Sequence, residues 1–157
     1  MIAFPKDDQA ALRAFYGDVG TQQVRLQLPY PLVLAWDPGK TINSLLCHAR
    51  VHDSLRNIFA NTLQHFGLQQ VQALRLDQFG GCLNVRPRRG GNTYSVHAWG
   101  AAVDLDPVNN ALRWDRSRAA FAKAAYEPFW KIVEEQGWTS LGRQKDYDWM
   151  HFQAASL

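Results

Sequence analysis

Two segments of the chain carry histidine and aspartate residues at spacings that suit a metal site. The first contains His97, then Gly100 and then Asp104, and the second places Asp148 three residues before His151. Zinc enzymes bind their metal through three His, Asp, Glu or Cys side chains and leave one position open for water. His97, Asp104 and His151 therefore form a candidate zinc site. A carboxylate beside such a site, in this chain Asp148, is a candidate general base.

The first segment can bring its two ligands together only if the chain bends. Along an extended strand, His97 and Asp104 would lie about 23 Å apart. Gly100 permits a sharp turn, because glycine adopts backbone conformations that other residues avoid. Alternation predicts that Asp104 faces away from Val103 and Leu105, where a half-buried carboxylate needs a partner or a metal. The alternative is a strand-end aspartate and a surface histidine that bind no metal.

The other three histidines are interpreted as structural. His48 and His52 are four residues apart on a predicted helix and would share one of its faces. A helical zinc protease carries glutamate directly after the first histidine, but this chain has Ala49 there. His65 precedes Phe66 near the predicted end of the same helix, where it would interact favourably with the helix dipole.

Together the two segments read Ser-x-His-x-x-Gly-x-Ala-x-Asp, followed at a distance by Asp-x-x-His-Phe. The residues in this pattern are Ser95, His97, Gly100, Ala102, Asp104, Asp148, His151 and Phe152. The pattern resembles the zinc D,D-carboxypeptidase and L-alanyl-D-glutamate endopeptidase family, the VanY-like peptidases, which includes phage endolysins and bacterial cell-wall enzymes. The resemblance extends from about residue 79 to residue 152. Some members of the family carry glutamate at the position of Asp148.

The resemblance implies a role for each residue of the site. One Zn²⁺ per chain would be held by the three candidate ligands. Asp148 would accept a proton from the attacking water and pass it to the leaving amine. Arg86 would polarise the scissile carbonyl and stabilise its developing charge. Ser95 and Trp99 would support the ligands or contact the substrate.

The choice of Arg86 rests on its neighbours in the stretch 80–91, which is similar to the segment that carries the family's active-site arginine. Arg86 follows the apolar run Cys82–Val85 and precedes a proline, which favours an extended conformation. Arg88 and Arg89 lie in a glycine-rich loop and are predicted to be peripheral. Arg89 is the alternative candidate for the active-site arginine.

The elements that must position these residues alternate irregularly along the chain. Helices are predicted over Ala10–Tyr16, Ser44–Phe66 and Ser117–Glu135. Strands are predicted over Val24–Leu28, Val71–Leu76, Cys82–Val85, Ala101–Asp106, Trp138–Leu141 and Trp149–Phe152. Residues 29–42 and Pro87–Thr93 are predicted to be loops. This mixture, without regular βαβ units, predicts an α+β fold with a small antiparallel sheet, flanking helices and the zinc site on the sheet.

Composition limits the classes of protein to which the chain can belong. Its 157 residues, 46% hydrophobic and 20% charged, fit one domain over residues 1–157 with no separate cell-wall-binding domain. The net charge of +3 comes without the dense basic face of a nucleic-acid binder. No apolar run approaches the roughly 20 residues of a membrane-spanning helix, so no membrane insertion is expected. Cys47 and Cys82 are predicted to be free, buried thiols.

The resemblance predicts a zinc metallopeptidase that degrades the cell wall by hydrolysing peptidoglycan stem peptides. Either the D-Ala-D-Ala bond or the L-Ala-D-Glu bond fits this machinery. We expect a monomer that is synthesised in the cytoplasm, because the N-terminus carries no secretory signal. An endolysin encoded by a phage or prophage would reach the wall through a separate holin-type pore. The alternative is a non-catalytic, zinc-stabilised wall-binding or structural module, which has no need for Asp148 or Arg86.

Overall fold

The computed structural model describes residues 3–157, which fold around one six-stranded sheet. Its strands are β1 (Gln23–Leu34), β2 (Asp37–His48), β3 (Gln78–Gly81), β4 (Ala102–Leu105), β5 (Thr139–Ser140) and β6 (His151–Gln153). The α-helices are α1 (Gln9–Tyr16), α2 (His52–Ala73), α3 (Glu127–Glu135) and α4 (Leu141–Lys145). None of the helices within residues 3–157 is long and apolar enough to cross a bilayer.

The strand order across the sheet is β2-β1-β3-β4-β6-β5. Every pair is antiparallel except β1 and β3, which run parallel over Val33 and Leu34. The predicted α+β class, with a mainly antiparallel sheet and flanking helices, is therefore confirmed. Strand β4 matters most for the site, and it lies between β3 and β6.

The core packs against both ends of β4 and β6. Val103 and Leu105 of β4 are fully buried, and Phe152 of β6 is surrounded by the rings of Phe129, Trp130 and Trp138. Aromatic pairs at these edge-to-face and tilted angles stabilise a core beyond the area that they bury. The strands that carry the candidate ligands are thus held on a rigid part of the molecule. Cys47 and Cys82 are free and buried, as predicted.

The predicted loop over residues 29–42 is wrong, because this stretch forms most of the β1–β2 hairpin. The loop was predicted from Pro29 and Pro31, since proline cannot donate a hydrogen bond to a neighbouring strand. They lie where the pairing of β1 with β2 is interrupted, between Gln27 and Leu32. At that point neither proline needs a hydrogen-bonded partner, and the strand continues to Leu34.

The predicted helix over Ser44–Phe66 is correct only from His52 onwards. Residues 44–48 end strand β2, where Leu45 and Cys47 are buried and Leu46 between them is exposed. That period of two is a strand pattern that the helix prediction overlooked. Gly67, directly after the predicted end of the helix, interrupts the helical backbone with a φ of 75°. Helical residues nevertheless continue to Ala73, so the strand predicted over Val71–Leu76 is also wrong.

Two further boundaries differ from the prediction. The third strand is Gln78–Gly81, whereas Cys82–Val85 has an irregular conformation. The predicted helix Ser117–Glu135 forms only from Glu127 onwards, after two short 3-10 turns. Pro128 does not kink it, because proline in the first turn of a helix loses no hydrogen bond. The strands predicted around β4, β5 and β6 are correct to within a few residues.

Candidate metal centre

The centre forms where β4 and β6 lie side by side. Asp104 of β4 is directly opposite His151 of β6 in the antiparallel register. Because opposite residues of neighbouring strands direct their side chains to the same face, the carboxylate and the imidazole meet. The Asp104 Oδ1 atom lies 3.1 Å from Nδ1 of His151. Asp104 and His151 belong to separate sequence segments, and the sheet brings them together.

His97 joins them from a short 3-10 turn, Val96–Trp99, that precedes β4. The turn ends at Gly100, whose φ of 67° is left-handed, and the Gly100 amide donates to the His97 carbonyl at 3.0 Å. This is the bend that the sequence predicts. It returns the chain so that His97 Nε2 lies 3.2 Å from Oδ2 of Asp104. The left-handed backbone is one that glycine adopts without steric cost.

The side chains of His97, Asp104 and His151 are of the types that bind a zinc ion. One ligand atom from each of His97, Asp104 and His151 can be chosen so that all lie within 4.8 Å of one another. Zinc binds imidazole nitrogen and carboxylate oxygen at about 2.0–2.2 Å, so tetrahedral ligands are separated by roughly 3.3–3.5 Å. The two imidazoles contact different oxygens of Asp104, at 3.1 Å from Oδ1 and 3.2 Å from Oδ2, so binding through one oxygen would require the carboxylate to rotate. Within residues 3–157 this is the one such group of three.

The far nitrogen of each imidazole is also held. Nδ1 of His97 lies 2.8 Å from the backbone oxygen of Cys82, which accepts its proton. Nε2 of His151 lies 2.8 Å from Oε1 of Gln153. Metal-ligating histidines commonly donate their other ring N–H in this way, which fixes both the ring orientation and the nitrogen that faces the metal. Both rings are therefore positioned for binding through the nitrogens that face Asp104.

The charges within the cluster reinforce one another. Burial alone would raise the pKa of the Asp104 carboxyl, but hydrogen bonds from His151 and His97 hold it well below its usual value. Burial would lower the pKa of His151, yet the hydrogen bond to Asp104 raises that pKa to about 9. In the metal-free protein the cluster thus holds a carboxylate against a protonated imidazole. A divalent cation supplies the positive charge that this proton otherwise provides.

Asp148 lies beside the ligands on the turn that enters β6. Its backbone is left-handed, with φ of 53°, and is held by two hydrogen bonds. The Asp148 amide donates to the Leu112 carbonyl at 2.8 Å, and its own carbonyl accepts from the His151 amide at 3.0 Å. Burial raises the pKa of the Asp148 carboxyl to about 6, while the His151 charge opposes the rise. A carboxyl with this pKa can exchange a proton near neutral pH.

The cluster opens on two adjoining cavities. The larger, of about 530 Å³, is lined by Gly80, Gly81, Asn84, Arg86, Pro87, Arg88, Arg89, Ser95, His97 and Asp104. The smaller, of about 380 Å³, includes Arg88, Ser95, Leu112, Tyr147, Asp148 and His151 in its lining. Ser95 and Arg88 border both cavities, so the two form one cleft with the candidate ligands at its middle. A ligand-sized concave site with convergent polar groups is typical of an active site.

The structure brings Arg86, Arg88 and Arg89 into the same cleft and exposes all three. It does not separate Arg86 from the other two in the way that the sequence predicts. The predicted strand Cys82–Val85, which was to give Arg86 a defined direction, is irregular. Arg86 therefore remains a prediction. Arg88 was predicted to be peripheral, yet it borders both halves of the cleft.

Trp99 and Ser95 occupy different environments. Trp99 is fully buried, and its indole Nε1 donates to the Gly17 carbonyl at 2.8 Å. It packs beneath the turn that carries His97 and presents no surface to a substrate. Ser95 is the residue before that turn and lies in the wall of the cleft. Of the two, Ser95 is therefore the residue that can contact a bound molecule.

The remaining histidines lie outside the cluster. The prediction that His48 and His52 share a helix is wrong, because His48 ends strand β2. Its Nε2 pairs with the Tyr16 carbonyl and its Nδ1 accepts from the Arg50 amide. His52 pairs with its neighbour Asp53. Each of these two is thus satisfied by local partners, in agreement with the structural interpretation.

Two residues near the cluster were missed by the sequence reasoning. Gln153 follows His151 by two positions on β6, a spacing that places both on one face of a strand. That signal was present in the sequence. Asp7, whose carboxylate contacts Gln153, comes from the other end of the chain. The proximity of Asp7 to Gln153 follows from the tertiary fold, and no local sequence pattern predicts it.

Comparison with known proteins adds one finding. Residues 89–154 match the model of a peptidase family, described as D-alanyl-D-alanine carboxypeptidase. The resemblance inferred from the motifs is thereby confirmed over this segment. The matched segment contains all three candidate ligands and Asp148, and it begins after Arg86. No curated protein and no solved structure matches the chain.

Proposed function

We propose that this protein is a zinc metallopeptidase that hydrolyses peptide bonds in peptidoglycan stem peptides. One observation carries the proposal: a compact His-Asp-His cluster lies in an open cleft, within a segment that matches D-alanyl-D-alanine carboxypeptidases. His97, Asp104 and His151 would hold the ion. Bound there, zinc supplies a Lewis acid that lowers the pKa of a coordinated water towards about 7.

Asp148 acts in this proposal as general base and then as general acid. Its position next to His151 at the rim of the cluster gives it access to a water in the cleft. The ionised carboxylate accepts a proton from the attacking water and returns it to the amine that leaves. In the metal-free protein, burial raises the pKa of Asp148 to about 6, in the range where a carboxyl can exchange protons near neutral pH.

The arginines of the cleft bind and polarise the substrate. Arg86 is proposed to donate to the scissile carbonyl, where a guanidinium opposes the negative charge that develops on the oxygen. Arg88 and Arg89 lie close enough along the same wall to bind the carboxylates that stem peptides carry. A greater loss of turnover in Arg89→Ala than in Arg86→Ala would exchange these two roles.

A non-catalytic, zinc-stabilised module is the alternative function. Structural zinc sites are closed by four protein ligands, whereas this cluster offers three. The missing fourth position faces a cleft that also contains Asp148 and three arginines. Openness of this kind supports an enzyme over a structural module.

Digestion of purified peptidoglycan tests the proposal. We expect the protein to release soluble peptides or D-alanine, to stop when a chelator removes zinc, and to recover when zinc is returned. Mass spectrometry of the products distinguishes the two bonds, because carboxypeptidase action releases free D-alanine and endopeptidase action exposes a new D-glutamate amine. Wild-type protein that leaves both bonds intact with zinc bound contradicts the proposal.

Zinc content in variants locates the site. His97→Ala, Asp104→Ala and His151→Ala should each lose the one zinc per chain that the wild type binds. His52→Ala is the matched control, since His52 contacts only its neighbour Asp53 among the hydrogen bonds of its ring. Full zinc in His151→Ala would remove this residue from the metal site.

A further inference from the structure

Gln153 contacts the cluster on the side of His151 that faces away from Asp104, and it borders the smaller cavity together with Asp7. It is almost completely buried on β6, two residues after His151 and on the same face of the strand. Its Oε1 atom lies 2.8 Å from Nε2 of His151, the ring nitrogen that faces away from Asp104. A glutamine amide presents either its oxygen, which accepts, or its NH2 group, which donates, so the orientation of Gln153 decides whether His151 donates or accepts at Nε2.

The surroundings of Gln153 fix its amide in one orientation. Its Nε2 atom lies 3.0 Å from a carboxylate oxygen of Asp7 and 3.4 Å from the Ala155 carbonyl. Both partners are acceptors. If the amide turned over, its oxygen would face two other oxygens, and a buried N–H group would lose its partners. The Gln153 oxygen must therefore face His151, and His151 must donate from Nε2.

This orientation selects one tautomer of the imidazole. A neutral histidine carries a proton on only one of its two nitrogens. With one proton fixed on Nε2, loss of the other proton leaves the lone pair of His151 on Nδ1, which lies 3.1 Å from Asp104 in the candidate metal site. The amide of Gln153 thus leaves Nδ1 of His151 as the nitrogen that can bind a metal.

Asp7 is itself held by the backbone at the two ends of the chain. Its amide donates to the Ser156 carbonyl at 2.7 Å, and the Ser156 amide donates to the Pro5 carbonyl at 2.9 Å. Asp7 lies far outside residues 89–154, the segment that matches the peptidase family. The N-terminal segment therefore completes a hydrogen-bonded chain, Asp7–Gln153–His151, that ends at the metal site.

We propose that Asp7 and Gln153 are positioning residues that hold His151 in the Nε2-protonated tautomer and so present Nδ1 to the zinc ion. The inference rests on the proposed zinc site but is independent of which peptide bond is cut. Partners of this kind typically change metal affinity by 10- to 100-fold. The effect should extend to Asp7, whose hydrogen bond is to Gln153 and not to a candidate ligand.

The test measures the zinc dissociation constant by competition with a chelator at one fixed pH. Gln153→Leu removes the acceptor and should weaken zinc binding by about 10- to 100-fold. Asp7→Ala frees the amide of Gln153 and should weaken binding in the same direction. Asp7→Asn keeps an oxygen that can accept from Gln153, so it should restore affinity to within a few-fold of the wild type.

Asp8→Ala is the matched control. The Asp8 carboxylate caps α1 by accepting from the Ala11 amide, and it takes no part in the chain to His151. Its loss should lower the melting temperature, as the loss of a helix cap does, and leave the zinc dissociation constant unchanged. This control separates a general loss of stability from a loss of positioning. Circular dichroism of each variant verifies that it is folded, and Asp7→Ala answers the question if Gln153→Leu does not fold.

Nitrogen NMR of the histidine rings provides a direct readout. In the zinc-loaded wild type, His151 should show a protonated Nε2 and a metal-bound Nδ1. Zinc on Nε2, or unchanged affinity in folded Gln153→Leu and Asp7→Ala, would overturn this inference while the proposed function stands. A wild-type protein that binds no zinc would overturn both.

Discussion

The two carboxylates at the centre of the cleft lie in opposite electrostatic environments. Two histidines keep Asp104 ionised by hydrogen bonding, against the effect of its burial. Burial raises the pKa of Asp148 to about 6, and the neighbouring charge of Asp104 adds to the rise. Acid–base sites commonly contain titratable groups whose surroundings separate their pKa values in this way. The separation agrees with the proposed roles of Asp104 in metal binding and of Asp148 in proton transfer.

Replacing Asp148 should separate catalysis from metal binding. Asp148→Asn keeps the size of the side chain but removes the base, so activity should fall by about 10²- to 10⁴-fold while zinc content stays at the wild-type level. Turnover on peptidoglycan and metal analysis of the same samples measure both effects. Asp146→Asn is the matched control, because Asp146 lies two residues away and pairs with the exposed Arg116. Near-normal turnover in Asp148→Asn would show that another carboxylate is the base.

Zinc affinity should depend on pH through His151. In the metal-free protein the pKa of His151 is raised to about 9, above its ordinary value of 6.5. The stability that the protonated imidazole gains from Asp104 is fully present below about pH 6.5 and is lost as the pH rises through 9. Zinc must displace that proton, so its apparent affinity should rise about tenfold per pH unit between pH 7 and 8.5.

Chelator competition at several pH values measures this dependence. A single displaced proton gives a slope of one in the logarithm of the affinity constant against pH. An affinity that is the same at pH 7 and pH 8.5 would mean that His151 does not hold a proton in the metal-free protein, contrary to its hydrogen bond with Asp104.

At the scale of elements, the turn before β4 determines whether His97 can reach the cluster. Gly100 ends this turn in a left-handed conformation, and a β-carbon on it would overlap the Gln23 amide. The Gln23 amide cannot move without cost, because its Nε2 donates to the carbonyls of Trp99 and Thr21. The turn is therefore constrained both by its backbone and by its close contact with β1.

Gly100→Ala should for this reason lower stability and zinc affinity together. The left-handed backbone alone costs a residue with a side chain about 1–2 kcal/mol, and displacing the Gln23 amide adds to this. Gly67→Ala is the comparison variant, since Gly67 also has a positive φ, of 75°, but has open space where its β-carbon would be placed. Thermal melts and chelator competition compare the two variants. Equal losses of stability, with zinc affinity intact in both, would show that the contact with Gln23 does not constrain the site.

The elements that carry the site were the easiest to predict from the sequence. A glycine bend followed by strict alternation predicts β4, and the apolar segment around His151 predicts β6. The sheet then supplies what the sequence could not, namely the register that places Asp104 opposite His151. The hairpin of β1 and β2 was not predicted, because its prolines lie at an interruption of the pairing that only the folded structure shows. The contact of Asp7 with Gln153 was not predicted for the same reason, since the two residues lie near opposite ends of the chain.

At the scale of the whole molecule, the matched peptidase segment is not a self-contained unit. Residues 89–154 include β4, β5 and β6 but exclude α1, α2 and the strands β1, β2 and β3. β4 is hydrogen-bonded on its other edge to β3, at Phe79 and Gly81. The backbone carbonyl that orients His97 belongs to Cys82, and the carboxylate that orients Gln153 belongs to Asp7. Both lie outside the segment.

A fragment of residues 89–154 should therefore fail to fold on its own. It would expose one edge of β4, the surface of α3 that packs against α2, and buried side chains of its core. Circular dichroism and the dispersion of amide proton signals should indicate a largely unfolded chain, whereas the full chain unfolds cooperatively. The fragment should bind zinc more weakly than the full chain even though it contains all three ligands, because the groups that orient two of them are missing. Cooperative unfolding of the fragment with wild-type zinc affinity would show that the N-terminal part of the chain is dispensable for the site.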